Sequence, residues 1–223
     1  MINEEIAGLI MRLFGRTPSD GNWSWLRDED KPWLILRQDS ERGIFKTIIR
    51  LVGEEGPQLA MAGDVDESRG PVFIHEGANV GTNVRFEGPV YVEDGAEIRH
   101  GAYLRPGTYV SSGCVVGHCS EIKNTLMLPS SKAPHFNYVG DSILGYKSNL
   151  GAGAKLSNVR FDRGNIPIQT PVGERIDSGM KKFGALVGDL VEIGCNVVTN
   201  PGSIITPESA VPPNTVVTGF WKE

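Results

Sequence analysis

Apolar residues recur at every sixth position through the middle of the chain, from residue 74 to residue 128. The series is Ile74, Val80, Phe86, Val92, Ile98, Leu104, Val110, Val116, Ile122 and Leu128. An amphipathic α-helix spaces its apolar residues by three and four, so a strict spacing of six is not helical. Short strands joined by a turn every six residues explain the spacing, because side chains alternate between the two faces of a strand.

Small or β-branched residues stand four positions after most members of this series. They are Ala78, Val84, Val90, Ala96, Ala102, Thr108, Cys114 and Ser120. Three six-residue sides would close a triangular coil of about eighteen residues, and successive coils would stack about 4.8 Å apart through backbone hydrogen bonds. We therefore predict an all-β solenoid, a parallel β-helix, over residues 66–223. The spacing alone leaves its handedness open.

The series is interrupted twice. It loses its phase around residues 129–135 and resumes at Tyr138, followed by Leu144, Leu150 and Leu156. It is absent from residues 159–182, and it returns as Val187, Ile193, Thr199, Ile205, Val211 and Val217. Residues 159–182 are too many for a corner, so we predict a loop insertion there that is functional or mobile.

Residues 1–65 follow a different pattern and predict a small α-helical N-terminal region. Residues 3–14 place Ile6, Leu9, Ile10 and Leu13 on one helical face. Residues 30–53 contain further short helical patterns, each preceded by an Asp or Ser cap. Because the open end of a solenoid needs protection, we predict that residues 1–65 form a cap over it. A distinct binding module is the alternative.

Composition excludes several classes of function. The net charge of −5 argues against a nucleic-acid partner, which would need a basic face. No apolar run approaches the ~20 residues of a membrane span, and the first twenty residues show no signal-peptide pattern. The three cysteines are odd in number and lack metal-finger or CxxC spacing. We therefore expect a cytoplasmic protein with neither a nucleic-acid nor a membrane partner.

An ordered set of polar motifs is superimposed on the repeats. The motifs are LRPG (104–107), SEIKN (120–124), KAPHFNYVGD (132–141), NLGAG (149–153), KLSNVRFD (155–162) and GMKKFGALVGD (179–189). In this order they resemble the acetyltransferase half of the bifunctional N-acetylglucosamine-1-phosphate uridyltransferase/glucosamine-1-phosphate acetyltransferase. The resemblance implies a left-handed parallel β-helix, a homotrimer and acetyl-CoA as co-substrate. The LxxGxGTRM-type opening of the uridyltransferase half does not occur, so we expect no uridyl transfer.

The resemblance also implies roles for individual residues. His135 matches the general base, and imidazole titrates near the pH at which an amino sugar must lose its proton. Arg105 and Lys123 match residues that hold the sugar phosphate, for which a guanidinium offers bidentate contacts. Tyr138 and Asn149 match positions that contact the sugar.

The remaining implied positions concern the coenzyme and the orientation of the site. Asn158 matches a residue that helps to orient the reacting groups. Ala152 and Cys195 fall where the family meets acetyl-CoA. Lys182 matches a lysine near the phosphates, and we assign it to substrate binding. Lys181 is the alternative match to that lysine, and we assign it to cofactor binding.

Three departures from the family pattern stand out. Pro134 replaces a glycine and stiffens the backbone before His135. Cys195 replaces a serine, and we expect it to be an inward-facing small residue rather than a nucleophile. Pro213 replaces a small residue near the end of the coenzyme groove.

Two other kinds of function remain open. His100 and His118 are eighteen residues apart and could share a corner near His135, as zinc-binding histidines would. No matching acid accompanies them, so we expect no metal. The chain could also be a catalytically inactive hexapeptide-repeat protein that scaffolds or regulates a sugar nucleotidyltransferase. The hypothesis that we carry forward is an acetyl-CoA-dependent N-acetyltransferase that acts on an amino-sugar phosphate such as glucosamine-1-phosphate.

Overall fold

Three parallel sheets wind around one apolar core in a computed structural model that describes residues 8, 10, 12–19, 21–56, 63–170 and 173–222. Strands β1–β25 are numbered in chain order. Face A carries β1 (Asp64–Asp66), β4 (Arg85–Glu87), β7 (Tyr103–Leu104), β10 (Glu121–Lys123), β13 (Tyr138–Gly140), β16 (Lys155–Leu156), β21 (Val198–Thr199) and β24 (Val216–Val217). Face B carries β2 (Val72–Ile74), β5 (Val90–Val92), β8 (Thr108–Val110), β11 (Leu126–Met127), β14 (Ile143–Leu144), β19 (Ala185–Val187), β22 (Ser203–Ile205) and β25 (Phe220–Trp221).

Face C completes each coil. It carries β3 (Asn79–Val80), β6 (Glu97–Ile98), β9 (Val115–His118), β12 (Lys132–His135), β15 (Asn149–Leu150), β20 (Glu192–Ile193) and β23 (Ala210–Val211). The chain passes from face A to face B to face C and back to face A. The predicted all-β solenoid is confirmed, and the fold is a left-handed parallel β-helix.

The loss of phase occurs earlier than the sequence pattern suggested. Ile122 points into the core, but the next core residue is Met127, five positions later, and Leu128 packs outside the core with the residues that cover face B. Placing Leu128 in the inward series was therefore wrong. Val139, and not Tyr138, is likewise the core residue of β13. The break thus lies at the corner between faces A and B, not around residues 129–135.

Two shortened corners account for this shift. Asn124 and Asp141 each occupy a corner between faces A and B with positive φ, at 46° and 48°. Asn and Asp tolerate this left-handed conformation better than other residues with a side chain. Paired residues on these coils are consequently 17 positions apart, as in the pair Glu121 and Tyr138, whereas Tyr103 and Glu121 are 18 apart.

The N-terminal segment covers face B. Its described helical elements include two 3-10 helices, Ser24–Asp28 and Pro32–Leu36, and the α-helix α1 (Ile44–Glu55). Their apolar side chains form one cluster with the outward residues of face B, among them Tyr91 and Tyr109. The Tyr91 hydroxyl donates to Glu55 at 2.7 Å. The expected position over an open end is therefore wrong for the described part of residues 1–65, because this segment instead buries the outward apolar side chains of face B.

The predicted helix over residues 3–14 lies partly outside the described residues, which exclude Ile6 and Leu9. Ile10 and Leu13 are described and buried in the cluster on face B. None of the helices in the described part of the chain has the length and apolar character needed to cross a bilayer.

The insertion at residues 159–182 has structure of its own. It interrupts the corner between faces A and B, and β17 (Pro167–Gln169) pairs with β18 (Arg175–Asp177) in an antiparallel hairpin. Ile168 is buried in the cluster on face B, and the ring of Phe183 lies 6.5 Å from that of Trp33. The hairpin and the described part of the N-terminal segment therefore both pack on face B.

We predict that Gly117→Ala destabilises the fold, because a Cβ at Gly117 would collide with the carbonyl group of Pro134. The expected loss is about 1–3 kcal/mol of unfolding free energy, measured by urea denaturation. Gly53→Ala is the control, since nothing lies within 4 Å of a Cβ at this exposed position of α1. It should be neutral or slightly stabilising. Equal stability of the two variants would contradict the close approach of β9 and β12.

We also predict a pH-dependent contribution from Asp189, which joins the N-terminal segment to the solenoid. Its carboxylate accepts the backbone N–H groups of Arg16 at 2.7 Å and Tyr146 at 2.8 Å. Burial raises the pKa of Asp189 to about 6, while these two N–H groups oppose the shift. The folded protein therefore holds this proton at a pH where the unfolded chain, with a pKa of about 4, has lost it.

The contribution of Asp189 to stability is thus fully present below pH ~4 and is lost as the pH rises through ~6. Asp189→Asn should remove this slope, so the difference in unfolding free energy between the two proteins should change by ~2 kcal/mol between pH 4 and 7. Glu208→Gln is the control, because the Glu208 side chain is exposed and pairs with the side chain of Arg16, whose backbone N–H contacts Asp189. A constant difference across this range would refute the assignment.

Candidate functional site

The corner between faces C and A aligns one residue from each coil. Its members are Thr82, His100, His118, His135, Ala152, Cys195 and Pro213. The Phe136 N–H donates to the carbonyl of His118, and the Gly153 N–H donates to the carbonyl of His135, both at 2.9 Å. The same ladder continues from Asn196 to Ala152 and from Asn214 to Cys195, again at 2.9 Å. His135 therefore stands in line with the positions that the sequence assigned to the coenzyme.

His135 itself is exposed at the end of β12. Its backbone N–H donates to Asn137 Oδ1 at 3.0 Å, which holds the chain at the turn. No group among the described residues hydrogen-bonds to its imidazole ring, so both ring nitrogens are available to a ligand. His118, its neighbour in the ladder, differs because its ring stacks on His100 at 5.5 Å.

Face A carries a second group of polar side chains, centred on Asp141. The Lys123 ammonium contacts both carboxylate oxygens, at 3.0 and 3.2 Å. Asn124 Nδ2 donates to the same carboxylate at 2.8 Å, and Asn158 Nδ2 donates to it at 2.5 Å. Asp141 is only 3% exposed, so the lysine is anchored at its inner side and faces outward with its remaining N–H.

Tyr138, which follows His135 by three residues, belongs to this cluster. Its hydroxyl donates to Asn158 Oδ1 at 3.4 Å. Burial, and then the charges of Asp141 and Glu121, raise the pKa of Tyr138, so the phenol stays protonated at neutral pH. A Cβ at residue 140 would meet both the Tyr138 hydroxyl and the Asn158 amide, which explains why glycine stands at Gly140.

Arg105 lies beside this cluster on the preceding coil. Its Nη1 donates to Glu121 Oε1 at 2.7 Å, and its guanidinium lies 5.6 Å from the centre of the Tyr103 ring. Its Nε is buried and has no hydrogen-bond partner among the described residues. The guanidinium therefore has N–H donors that its ion pair with Glu121 does not use. The structure therefore brings Arg105, Lys123, Tyr138 and Asn158 together on face A.

Of the other predicted residues, Asn149 lies on another face, and the two lysines come near the group through the backbone. Asn149 is on face C, where it donates to Glu192 Oε2 at 2.9 Å. Lys181 and Lys182 are exposed just before Phe183, whose N–H donates to the Asn158 carbonyl at 3.0 Å. The backbone therefore brings Lys182 next to Asn158, and Lys181 lies one residue farther away.

One expectation about the coenzyme positions is wrong. Cys195 is not an inward-facing residue but an exposed one at the corner between faces C and A. The inward residue of the preceding strand is Ile193, and the chain turns outward at the corner that follows it. The cysteine is therefore on the same outer edge as His135.

Sequence reasoning quoted Asp141 and Asn124 within motifs but gave neither a role. The signal that could have found them is the spacing, which contracts by one residue at each of these two corners. A polar residue that tolerates positive φ is needed there. Glu121, which pairs with Arg105, was also assigned no role.

Within the described residues, no three His, Cys, Asp or Glu side chains are arranged to hold a metal ion. The predicted neighbourhood of His100 and His118 on one corner is confirmed by their stacked rings. His100 Nδ1 lies 2.9 Å from Thr82 Oγ1, so this ring interacts with a hydroxyl. The absence of a metal in the working protein stays a prediction.

Comparisons with known proteins agree with this arrangement of motifs. Residues 86–219 match the family described as the GMPPB C-terminal domain. A bifunctional sugar-1-phosphate nucleotidylyltransferase/acetyltransferase of Sulfurisphaera tokodaii is 34% identical over 198 residues, which cover 89% of this chain and 47% of that protein. The bifunctional protein GlmU of Methanococcus maripaludis strain C7 is 40% identical over 198 residues, which cover 89% of this chain and 45% of that protein.

A shorter relative matches over most of its own length. YaiX of Escherichia coli strain K12, described as an uncharacterised acetyltransferase, is 31% identical over 201 residues, covering 90% of this chain and 84% of that protein. The chain spans about half the length of the two bifunctional relatives.

Proposed function

Because the chain belongs to the GMPPB C-terminal domain family, and its relatives include proteins named as acetyltransferases, we propose that it is a coenzyme-A-dependent N-acetyltransferase. Its acceptor is an amino-sugar phosphate of the glucosamine-1-phosphate kind. The observation that carries the proposal is the hydrogen-bonded group of Tyr138, Asn158, Asp141 and Lys123, with Arg105 on the preceding coil and the exposed His135 three residues before Tyr138. A strand of three residues, such as β13, spans ~10 Å, which suits one sugar ring with its phosphate.

His135 acts as the general base in this reaction. The amine of the sugar loses a proton to the imidazole as its nitrogen attacks the thioester carbonyl of acetyl-CoA. A C–N bond forms, the C–S bond breaks, and coenzyme A leaves with the proton that the imidazolium returns. The exposed ring of His135 is free to approach the amine, since no described residue engages its nitrogens.

Lys123 and Arg105 hold the phosphate. Asp141 anchors the Lys123 ammonium at its buried side, which leaves an N–H for an incoming oxyanion. Arg105 keeps one edge, Nε and Nη2, outside its bond to Glu121. Turning this edge toward the phosphate would pair the orphaned Nε, and bidentate guanidinium–oxyanion contacts are strong.

The coenzyme lies along the corner between faces C and A, beside Ala152 and Cys195, with Lys181 or Lys182 near its phosphates or those of the sugar. We further propose a homotrimer in the cytoplasm, in which neighbouring solenoids close the coenzyme groove. The support is that face B is covered by the chain's own segments, so other copies would have to use faces A and C.

The proposal is tested by measuring free thiol release from acetyl-CoA in the presence of glucosamine-1-phosphate and related amino-sugar phosphates. Turnover with one of these acceptors supports it. Absence of turnover with every amine, together with no acetyl-CoA binding by calorimetry, would instead favour a scaffold for a sugar nucleotidyltransferase.

We predict that His135→Ala lowers kcat by about 100-fold or more, because the general base is removed. The affinity for acetyl-CoA, measured by calorimetry, should stay within about twofold, since the ring acts on the amine. His118→Ala is the matched control, one coil away on the same corner. A His135→Ala enzyme with full kcat, or a loss that His118→Ala shares, would remove the assignment.

Arg105→Ala and Lys123→Ala should each raise KM for the amino-sugar phosphate by about 10–100-fold, because each removes a charged hydrogen bond to the phosphate. The comparison substrate is the same amino sugar without its phosphate, for which the variants should match the parent protein. Arg99→Ala, which removes an arginine that pairs with Glu97, serves as the control. Equal losses with both substrates would show that these residues do not bind the phosphate.

A further inference from the structure

The carboxylate of Asp141 organises more of face A than any other described group of the site. Its Oδ1 accepts from Lys123 and Asn124, and its Oδ2 accepts from Lys123 and Asn158. Asn124 uses its second N–H on the carbonyl of Leu36, at 2.9 Å. The carboxylate is thus held on both sides, and the N-terminal segment is attached to the same network.

The chemistry of these groups fixes the direction of each hydrogen bond. An ionised carboxylate only accepts, so the Asn158 side chain must turn its Nδ2 toward Asp141. Its Oδ1 then faces Tyr138 and can only accept, which obliges the Tyr138 hydroxyl to donate. The proton of that hydroxyl is therefore committed to Asn158, and the phenolic oxygen keeps only its acceptor capacity.

Steric constraint strengthens the same arrangement. Gly140 lies between the Tyr138 hydroxyl and the Asn158 amide, and a Cβ there would come within 2.7 Å of the hydroxyl and 2.6 Å of the amide nitrogen. The missing side chain lets these two groups approach across the strand. Tyr138 is half-buried, so its ring has little freedom to choose another partner.

We propose that Asp141 is a positioning residue that, through Asn158, sets the Tyr138 oxygen as a hydrogen-bond acceptor for the sugar acceptor. This inference rests on the proposed function and adds a specificity rule to it. The acceptor must present an N–H or O–H donor to Tyr138, as an ammonium group or a ring hydroxyl does. An analogue with an ether oxygen at that place would put two hydrogen-bond acceptors, the ether oxygen and the Tyr138 oxygen, against each other. We therefore expect such an analogue to be rejected.

Kinetics of variants test this inference. Asp141→Asn lets the amide at 141 offer a donor, so the side chain of Asn158 can turn over and release the Tyr138 proton. KM should rise about tenfold for the amino sugar without its phosphate, a substrate that does not use Lys123, and kcat should change by less than about threefold. Asp162→Asn, an exposed aspartate that pairs with Arg160 and has no role in the site, is the control and should behave as the parent protein.

The double variant Asp141→Asn/Tyr138→Phe separates positioning from a general loss of structure. If Asp141 acts through the Tyr138 hydroxyl, the double variant should have the same KM as Tyr138→Phe for the amino sugar without its phosphate. Additive losses in KM, or a loss in kcat alone, would overturn the inference.

A second readout needs no activity. Tyrosine labelled with 13C at Cζ reports ionisation of the phenols by NMR, and Tyr138→Phe identifies the signal among the five tyrosines. The Asp141 charge contributes to the raised pKa of Tyr138, so Asp141→Asn should lower that pKa, whereas Asp162→Asn should leave it in place. An unchanged titration in Asp141→Asn would overturn the positioning role even in an active enzyme. A shifted titration in a protein without turnover would contradict the proposed function but would support the hydrogen-bond network of Asp141, Asn158 and Tyr138.

Discussion

Parallel backbone pairing between successive coils determines which side chains of this protein can meet. Residues 17 or 18 apart in the sequence become neighbours, because each strand donates to and accepts from the strand one coil away. His118, His135 and Ala152 share a corner for this reason, and Cys195 joins them on the next coil, 43 residues after Ala152, because the insertion lies between these two coils. The same rule places Arg105, Lys123 and Asp141 side by side on or beside face A. Residues that form one surface of such a fold therefore recur in the sequence once per coil.

Two contracted corners, next to the candidate site, shorten the spacing between paired residues from 18 to 17. A corner one residue shorter, with Asn124 or Asp141 at positive φ, replaces the Pro-Gly corner that precedes them at residues 106–107. At each contracted corner a polar side chain, Asn124 or Asp141, lies at the edge of face A, and the two are hydrogen-bonded to each other. Asp141 is buried there with a lysine and two amides as partners, which compensates for the cost of removing its charge from water. Asp141 is therefore both the residue at a contracted corner and the centre of the polar network.

Much of this architecture was predictable from the sequence. The six-residue period identified the solenoid, and the ordered motifs grouped His135 with Ala152 and Cys195 and Arg105 with Lys123. Leu128 and Tyr138 were misplaced because a periodic pattern cannot show where a corner loses one residue while apolar residues stand on both sides of it. The N-terminal segment was misplaced for a related reason. Its helical faces indicate that something apolar must be covered, but only the three-dimensional row formed by Phe73, Tyr91 and Tyr109 shows that this is face B.

Donor and acceptor directions were also beyond the reach of the sequence. Tyr138 and Asn158 were assigned to the site, but whether the phenol donates or accepts depends on a carboxylate that had no assigned role. The exposed imidazole of His135 is distinguished by having no hydrogen-bond partner among the described residues, whereas the rings of His118 and His100 in the same ladder stack on each other. The proposed function requires that His135, Tyr138 and Lys123 contact one and the same acceptor molecule.

A crystal structure of the protein with coenzyme A and glucosamine-1-phosphate measures this directly. The account predicts the phosphate oxygens within hydrogen-bond distance of Arg105 and Lys123, the amine next to the His135 ring, and the coenzyme along the corner of Ala152 and Cys195. A sugar phosphate bound away from face A, or oriented with its amine remote from His135, would contradict it.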